Sequence, residues 1–353
     1  MFLLGLIAAI CFVPGITGAS IPTQWPFLSV SLLPSLWLHG PFTWAHKLGI
    51  FFLAYAGLTT LWAHNYNTSV IGVWYLSVWA LAFWLGTTQS TLRPLWHGLA
   101  WGVALSSLVA ILQWFGFHPV EVYPDQIAGL YFNSTMLGAA TALMLVACLC
   151  HRLWYPAPLL IIGLALSHSR GAILILVIGL AARIHWLLVL IGTITSLALI
   201  SHLSGPSDLQ RLEIWGEAIR NMTLWGWGPN SFDDLYAVLP RRPTMTPSLY
   251  HLGFTHNDYL QLLFEFGAAG ALAAYAIIAA ALGRVSKTDF PLFAAWSALA
   301  MFYFPLYAPL LALIGCACAG HLLRPDDAVR PVRKRRRSNI LSWVDYTRST
   351  VLE

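Results

Sequence analysis

Apolar residues along this chain come in blocks about as long as a membrane-spanning helix, and short polar connections separate the blocks from one end to the other. Prolines in the second block predict a broken helix there. Two short blocks predict a hairpin that turns at Ser169-Arg170. We predict about twelve apolar segments, at 1–18, 24–38, 44–62, 69–86, 95–116, 127–150, 154–168, 170–184, 186–203, 255–282, 289–304 and 306–322.

The composition agrees with this pattern. Hydrophobic residues make up 58% of the 353 residues and charged residues only 9%, whereas a soluble domain carries roughly 25% charged residues. We therefore predict an all-α polytopic membrane protein. Its expected parts are a bundle over 1–203, one long external loop with a surface helix over 204–255, further membrane helices over 256–322, and a basic tail over 323–353.

Positive charges divide unequally between the two sides that this topology defines. If the N-terminus is cytoplasmic, the even connections and the tail carry 14 of the 19 Lys and Arg residues, and the odd connections carry 5. Cytoplasmic connections are the ones expected to be rich in Lys and Arg, so the prediction places both termini in the cytoplasm. The external cations are Arg170, Arg211, Arg220, Arg241 and Arg242.

The two ends of the chain leave alternatives open. Segment 1–18 ends near a TGAS stretch that resembles a signal-peptide cleavage site, but it lacks a basic n-region, and we expect it to be retained. The run Arg333–Arg337 has no interleaved aromatic residues for base stacking, which argues against nucleic acid. It is typical of an anchor beside anionic lipid or of a solvated tail.

Cysteine spacing predicts neither a metal site nor a disulfide framework. Cys148 and Cys150 are two residues apart on a predicted helix, as are Cys316 and Cys318. The members of each pair therefore point to different faces and are expected to pack as small core residues. We predict no metal and no cofactor.

The long loop contains a predicted amphipathic helix. Ser207-x-x-Gln210 has the pattern of a capping box, and an apolar stripe follows at Leu212, Trp215, Ile219 and Met222. Such a helix lies on a membrane surface or on the top of a bundle. Arg211 falls at the edge of the stripe, which indicates that it points toward the membrane face and not to bulk water. The alternative is a surface ion pair, either Arg211–Glu217 or Arg220–Glu217.

A glycine-rich turn follows this helix. Trp225 and Trp227 alternate with glycines before Pro229. The two tryptophans are typical of a membrane-interface belt or of a platform on which a sugar stacks. Asp233-Asp234 is predicted to be a solvated pair.

A histidine stands where the chain re-enters the membrane. Thr255-x-x-Asp258 predicts a second capping box, which places His256 at the first turn of the helix. A neutral imidazole at this boundary can act as a general base, although a lone histidine is often only structural. Glu265 lies roughly 13 Å deeper, at about 1.5 Å per residue, and predicts a buried polar contact.

Arg170 is the remaining external cation of note, at the turn of the predicted hairpin. Arginines that meet at a membrane surface can hold a pyrophosphate, because each guanidinium offers a bidentate fork. The alternative is an arginine that extends to the lipid headgroups.

Three stretches together resemble one known family. They are Ser169-Arg170-Gly171, the loop stretch Arg211–Phe232 (RLEIWGEAIRNMTLWGWGPNSF), and His256–Gly267 (HNDYLQLLFEFG). Their order and spacing resemble the O-antigen ligase and O-antigen polymerase superfamily, and Gly129–Asn133 is similar to that family's preceding G-x-(F/Y)-x-N stretch. The resemblance covers roughly residues 127–282. The chain departs from the family pattern in two ways. It is shorter than typical members of the family, and it has Trp225 where a proline is usual.

The resemblance implies a bacterial inner-membrane glycosyltransferase with an architecture like the GT-C class, metal-independent and inverting, with its active site on the periplasmic side. The donor would be a glycan on undecaprenyl pyrophosphate. The acceptor would be lipid A-core, a second lipid-linked glycan, or a protein hydroxyl; we favour lipid A-core. Position by position, the catalytic residues would be His256, Arg211 and Arg170. The substrate-binding candidates are Asn133, Arg220, Trp225, Trp227, Asn257, Asp258 and Tyr259.

Two other classes of function remain as alternatives. A transporter or flippase of lipid-linked or small solutes would show internal repeats and ionisable groups near the bilayer midplane. No clear repeat is visible, and the charges cluster at one face, with Glu265 as the main exception. A structural membrane protein would leave the three stretches unexplained.

Overall fold

The structure is a computed structural model, and it describes residues 1–10, 21–38, 42–119, 126–131, 133–185, 206–236, 238, 253–285 and 287–325. These residues form thirteen α-helices and no strand. The helices are α1 (Phe2–Ile10), α2 (Ile21–Leu32), α3 (Trp44–Thr59), α4 (Tyr66–Thr88), α5 (Arg93–Trp114), α6 (Ser134–His151), α7 (Ala157–Leu166), α8 (Arg170–Ile184), α9 (Pro206–Arg220), α10 (Phe232–Tyr236), α11 (Asp258–Leu282), α12 (Phe290–Leu299) and α13 (Pro309–Leu323).

Eleven of the twelve predicted apolar segments overlap one of these helices. The weak second segment is broken as predicted, since α2 contains Pro26 and passes into a 3-10 turn over Leu33–Trp37. Helices α7 and α8 are joined between Leu166 and Arg170, but each packs on α6 and they hardly touch each other, so the predicted hairpin does not form as a packed pair. The predicted segment 186–203 and the tail from 326 onward, with Arg333–Arg337, lie outside the described residues, as do Arg241 and Arg242.

Four helices are long and apolar enough to cross a membrane by themselves: α4, α5, α6 and α11. The other described apolar helices are shorter than a typical span. The all-helical class and the presence of membrane-length helices therefore agree with the prediction. Of the four, α6 is the most enclosed, with 78% of its apolar window buried.

Small residues allow the helices to approach closely. A Cβ on Gly98 of α5 would overlap the backbone of Phe2 and Leu6 in α1, and one on Gly86 of α4 would overlap the backbone of Ala317 in α13. Close backbone contact through small residues is how helices associate where lipid removes the hydrophobic driving force. The four described cysteines are free and lie among these helices, as expected for small packing residues.

One end of the bundle, which we call the Arg152 end, gathers basic residues around a buried acid. The Asp289 carboxylate accepts hydrogen bonds from Trp96 Nε1 at 2.9 Å, and it contacts His151 Nε2 at 2.7 Å and His321 Nδ1 at 2.5 Å. This cluster joins α5, α6, α12 and α13. The described basic residues at the same end are Lys47, Arg93, Arg152, Arg183, Arg284, Lys287 and Arg324.

The opposite end, the His256 end, collects the loop helix and the starts of α4, α6, α8 and α11. Asp234 accepts hydrogen bonds from Asn65 Nδ2 at 2.8 Å and from Thr68 Oγ1 at 2.5 Å, which ties the loop to the start of α4. The prediction of a solvated Asp233-Asp234 pair is therefore wrong for Asp234, although Asp233 is exposed. Such contacts pack the described part of the loop around Asp234 on the bundle.

Candidate functional site

The start of α11 is built differently from the predicted capping box. Asn257, not Thr255, is the N-cap, and its side chain accepts a hydrogen bond from the Leu260 N–H at 3.1 Å. Thr255 Oγ1 instead donates to the Asn257 carbonyl at 2.7 Å and accepts from the Asn257 N–H at 3.1 Å. His256 consequently lies just before the helix, in a tight turn of polar contacts.

The turn is also fixed from the segment between α12 and α13. The Asp258 N–H donates to the Ala300 carbonyl at 2.8 Å, and the Asp258 carboxylate accepts the Leu306 N–H at 2.7 Å. Asp258 is only 1% exposed. Its role in the structure is to hold residues 300–306 against the start of α11.

His256 has the features of a base kept neutral. Its backbone is left-handed, with φ 55°, and its ring packs edge-on against Phe304 at 5.3 Å between centroids. Nδ1 is buried and has no hydrogen-bond partner within the described ranges. Burial lowers the pKa of His256, and the positive charge of Arg211 lowers it further, to about 4. The imidazole is therefore neutral at pH 7.

Helix α9 brings Arg211 to this histidine. Trp215 on α9 donates from Nε1 to the Thr255 carbonyl at 2.9 Å, directly beside His256. Arg211 lies one turn earlier and is half-buried. This burial agrees with the expectation that Arg211 does not extend into bulk water.

Tyr303 completes the group, and sequence reasoning missed it. Its hydroxyl is hydrogen-bonded to Asn133, the N-cap of α6. Burial raises the pKa of Tyr303, against the opposing effects of the Asn133 hydrogen bond and the Arg211 charge. Asn133, Arg211, His256 and Tyr303, from four different segments, thus lie together at the His256 end; we call them the His256 group.

The available sequence signal for Tyr303 was the aromatic, proline-containing connection FYFPLYAP at the external face. The sequence prediction placed Tyr303 at the end of the apolar segment 289–304, because nothing local shows what this side chain contacts. In the structure it supplies Tyr303, the ring of Phe304, the Leu306 N–H and the Tyr307 hydroxyl to residues at the start of α11 and beyond.

The face that α9 buries differs from the predicted stripe. Ile214 and Ala218 are buried, with Trp215 and Met222 packed beside them, whereas Leu212 and Ile219 are more than half exposed. The half of the predicted stripe formed by Leu212 and Ile219 therefore does not meet the bundle. The helix also begins at Pro206, so Ser207 lies inside the first turn and not at its N-cap.

The glycine-rich turn Trp225–Asn230 docks into a break in α11. Gly267 has φ 59° and ψ −166°, outside helical geometry. The freed carbonyls of Phe264 and Glu265 accept the N–H groups of Trp227 at 3.3 Å and Gly228 at 2.9 Å. The Ala268 N–H donates to the Leu224 carbonyl at 3.0 Å. Backbone groups that the break leaves open are thus satisfied by the turn.

Glu265 secures this junction from inside. Its carboxylate is fully buried and accepts hydrogen bonds from the Asn230 N–H at 2.7 Å, Tyr307 Oη at 2.6 Å and Gln261 Nε2 at 3.0 Å. The Phe232 N–H is a further donor. The predicted buried polar contact is confirmed, and it joins the loop, α11 and the segment before α13.

The remaining predicted site residues occupy several environments. Arg170 is exposed at the first position of α8, whose N-cap Ser169 accepts from the Ala172 N–H. A Cβ on Gly138 of α6 would touch Ser167 and Ser169, so Arg170 lies beside the start of α6 at the His256 end. The charge that acts on His256 comes from Arg211.

The other predicted substrate-binding residues, apart from the exposed Trp225 side chain, make contacts within the protein. Arg220 pairs with Glu217 at 3.2 Å, the surface pair considered as an alternative. The Tyr259 hydroxyl is hydrogen-bonded to Ser297. Trp227 packs beside the buried Ile214–Ala218 face and donates to the Asn221 carbonyl at 2.8 Å, whereas Trp225 is 61% exposed.

An apolar cavity of about 450 Å³ lies between α3, α4, α11, α12 and α13. Its wall includes Leu262, one turn below Asp258, and Leu306, whose N–H binds the Asp258 carboxylate. The cavity therefore begins directly beneath the residues that hold His256 in place.

Within the described ranges, no three His, Cys, Asp or Glu side chains are grouped to hold a metal ion. No family model matches this chain, and no curated protein matches it.

Proposed function

We propose that this protein transfers a glycan from a polyprenyl pyrophosphate to an acceptor hydroxyl at the His256 end of the bundle. The observation that carries the proposal is the His256 group. In it a neutral imidazole, whose Nδ1 has no hydrogen-bond partner among the described residues, lies beside an arginine at the boundary of a membrane-length helix. A base for a hydroxyl and a cation for a departing phosphate are the two components that such a transfer needs.

The proposed step uses these two components together. His256 takes the proton of the acceptor hydroxyl while the acceptor oxygen attacks the anomeric carbon. The bond from that carbon to the pyrophosphate oxygen breaks, and the electron pair leaves with the pyrophosphate. Arg211, with Arg170 reaching from the start of α8, stabilises the growing negative charge. Attack from the opposite face inverts the anomeric centre.

The same arginine also tunes the base. Arg211 lowers the pKa of His256 in the free protein. A bound pyrophosphate offsets that positive charge and removes one of the two causes of the shift, so the imidazole becomes more basic when the donor is present. Donor binding would thereby prepare the base for the acceptor.

The apolar cavity supports a lipid-linked donor. It has room for about 450 Å³ of apolar chain and opens beneath the residues that position His256. A polyprenyl tail in the cavity would leave its pyrophosphate at the membrane boundary, near the two arginines. This is consistent with the family resemblance and with a site at the headgroup plane.

Among acceptors, we propose lipid A-core, so that the reaction is O-antigen ligation on the periplasmic face of the inner membrane. A second lipid-linked glycan or a protein hydroxyl would use the same group of residues with a different acceptor surface. The GT-C-like architecture, with about twelve spans, is part of the same proposal.

A transporter remains the second candidate because of one observation. Asp258 and Glu265 are buried in α11, a membrane-length helix, and buried acids in such helices often mark a transport path. Against this, Glu265 is held by several donors that close the junction with the loop.

The test uses the purified full-length protein in nanodiscs with undecaprenyl-pyrophosphate glycan and no nucleotide sugar. Lipid A-core, a second lipid-linked glycan and a hydroxyl peptide are offered in parallel, in EDTA. We expect glycan on lipid A-core. His256→Ala should reduce transfer by roughly 10²–10⁴-fold, the usual contribution of a general base. Arg211→Lys should also fail substantially, because an ammonium cannot reproduce a bidentate contact.

Arg183→Lys, at the other end of the bundle, serves as the matched control and should transfer at the wild-type rate. Retained turnover in folded His256→Ala protein would remove the base assignment. Movement of the donor across the bilayer without transfer to any acceptor would favour the transporter instead.

A further inference from the structure

A second cavity, of about 400 Å³, lies at the Arg152 end, far from the His256 group. Arg93 and His97 line it from the start of α5, Arg152 and Tyr155 from the connection between α6 and α7, and Phe2 from α1. Three separate parts of the chain thus enclose one space with two guanidinium groups.

The charge around this cavity lacks a counterion within the described ranges. Neither the Arg93 nor the Arg152 guanidinium makes a hydrogen bond or ion pair with a described residue. Asp289, the one described acid at this end, is held by Trp96, His151 and His321. Arg93 is also the first residue of α5, where the helix dipole is already positive. An anion is the ligand that this arrangement favours.

The depth of the cavity matches a lipid headgroup. Helix α6 joins Asn133 of the His256 group to Arg152, and its 18 residues span roughly 27 Å at about 1.5 Å per residue. That is close to the thickness of a bilayer's hydrocarbon core, about 30 Å. If the His256 group lies at one headgroup plane, Arg152 lies at the other.

The rim of the cavity is apolar and aromatic. Among the lining side chains, Phe2 is 41% exposed and Tyr155 85%. Exposed aromatic side chains beside cations are typical of a membrane–water interface, where the rings lie against acyl chains and the cations meet phosphates. A free phosphate ion has no apolar part that could contact these rings, so the rim favours a lipid.

We propose that the cavity at the Arg152 end binds the headgroup of an anionic phospholipid, with Arg93 and Arg152 on the phosphate and the aromatic rim against the acyl chains. This site lies on the opposite face from the proposed glycan transfer and does not depend on it. It ties α1, α5 and the α6–α7 connection together through one bound lipid.

The test measures binding of short-chain lipids to delipidated full-length protein in a neutral detergent. The probes are dioctanoyl phosphatidylglycerol, dioctanoyl phosphatidylcholine and inorganic phosphate. We expect the protein to prefer phosphatidylglycerol clearly over phosphatidylcholine. Arg93→Gln/Arg152→Gln should bind phosphatidylglycerol roughly 30-fold more weakly, which corresponds to about 1 kcal/mol for each arginine at a membrane surface.

Two further double variants distinguish a loss of the binding site from a general loss of positive charge and from a loss of folding. Arg183→Gln/Arg284→Gln removes the same net charge at the same end but not in the cavity, and it should keep the wild-type affinity. Arg93→Lys/Arg152→Lys should keep most of it and the same thermal midpoint.

Three results would overturn the proposal. One is equal affinity for the two lipids in the wild type. Another is an equal loss of affinity in the Arg183→Gln/Arg284→Gln control. The third is displacement of the lipid by inorganic phosphate at equal concentration, which would make the cavity a free-anion site.

Discussion

The imidazole of His256 owes its low pKa to two separable causes. One is burial against Phe304, and the other is the charge of Arg211. The first belongs to the fold and the second to a single side chain. A substitution at Arg211 therefore tests the electrostatic part alone.

We predict that Arg211→Gln raises the pKa of His256 from about 4 toward its ordinary value. The sign follows from the cause, because a neighbouring positive charge disfavours the protonated imidazole and its removal relieves that effect. The measurement is the pH dependence of His256 carbethoxylation, mapped by mass spectrometry without donor. Since only the neutral ring reacts, its reaction should fall off at higher pH in the variant than in the wild type.

Arg220→Gln is the matched control, because Arg220 lies on the same helix but pairs with Glu217. It should leave the His256 profile unchanged. Identical profiles for Arg211→Gln and wild type would mean that burial alone sets this pKa.

The kinetics of transfer carry a related prediction. The pH profile of kcat/KM reports the free protein and that of kcat the loaded one. The acidic limb of the kcat/KM profile should lie near pH 4, because the pKa of His256 in the free protein is about 4. If a bound pyrophosphate offsets the charge of Arg211, the acidic limb of the kcat profile should lie at higher pH. Coincident limbs would contradict tuning by the donor.

Glu265 is a residue whose loss should be costly. Glu265→Ala leaves the Asn230 N–H, the Tyr307 hydroxyl and the Gln261 amide without their buried acceptor. Each orphaned buried group costs about 1–3 kcal/mol, so we expect destabilisation of at least about 3 kcal/mol. Glu265→Gln keeps one acceptor oxygen and should lose less. Thermal unfolding in detergent distinguishes them; an alanine variant as stable as wild type would contradict this account.

At the scale of elements, the break in α11 is the point at which the structure differs from the local sequence pattern. The apolar run 255–282 predicts one continuous helix. The break at Gly267 depends on the Trp225–Asn230 turn, whose N–H groups take the carbonyls of Phe264 and Glu265 from nearly forty residues away. Helix α8, by contrast, was predicted over 170–184 and forms there, because its Ser169 cap and apolar run are local.

We predict that Gly267→Ala destabilises the protein by about 1–3 kcal/mol or more. A side chain is strained at this φ and ψ, and the added Cβ would overlap the backbone of Leu224–Gly226. Gly57→Ala is the control, since a Cβ on Gly57 in α3 meets nothing within 4 Å. It should be neutral or slightly stabilising. Equal thermal midpoints for the two variants would argue against a required break.

The candidate site was predictable to the extent that its residues lie in compact local patterns. His256 and Arg211 were identified from local patterns and Asn133 from the family resemblance, and the three lie together in the structure. Tyr303 could not be found in this way, because its partners come from distant segments. The buried face of α9 was misjudged because its Leu and Ile residues have no local mark that shows which side meets the bundle.

For the whole molecule, the main feature is the division of charge between two ends. Every described acid except Asp289 lies at the His256 end or in α11, while the Arg152 end holds seven described cations. This fits the predicted orientation, with the Arg152 end in the cytoplasm.

A pair of exposed positions at the two ends of α4 tests that orientation. If the protein lies in the bacterial inner membrane, as proposed, Asn67→Cys in a cysteine-free background should react with a membrane-impermeant maleimide in cells whose outer membrane is permeabilised. Thr91→Cys should react only after the inner membrane is opened, because α4 is long enough to separate the two by a bilayer. Labelling of both sites before that step would show that α4 does not cross.

The junction of α11 with the Trp225–Asn230 turn also bears on biogenesis. Only nine residues, Asp258–Phe266, precede the break, and two of them are buried acids, so this half-helix is a poor substrate for insertion by hydrophobicity alone. The turn whose N–H groups pair with the carbonyls at the break is synthesised earlier, so the junction can form only after α11 has followed it. Insertion of the helix and docking of the loop therefore form one assembly event, and the proposed base and its arginine come together only when that event is complete.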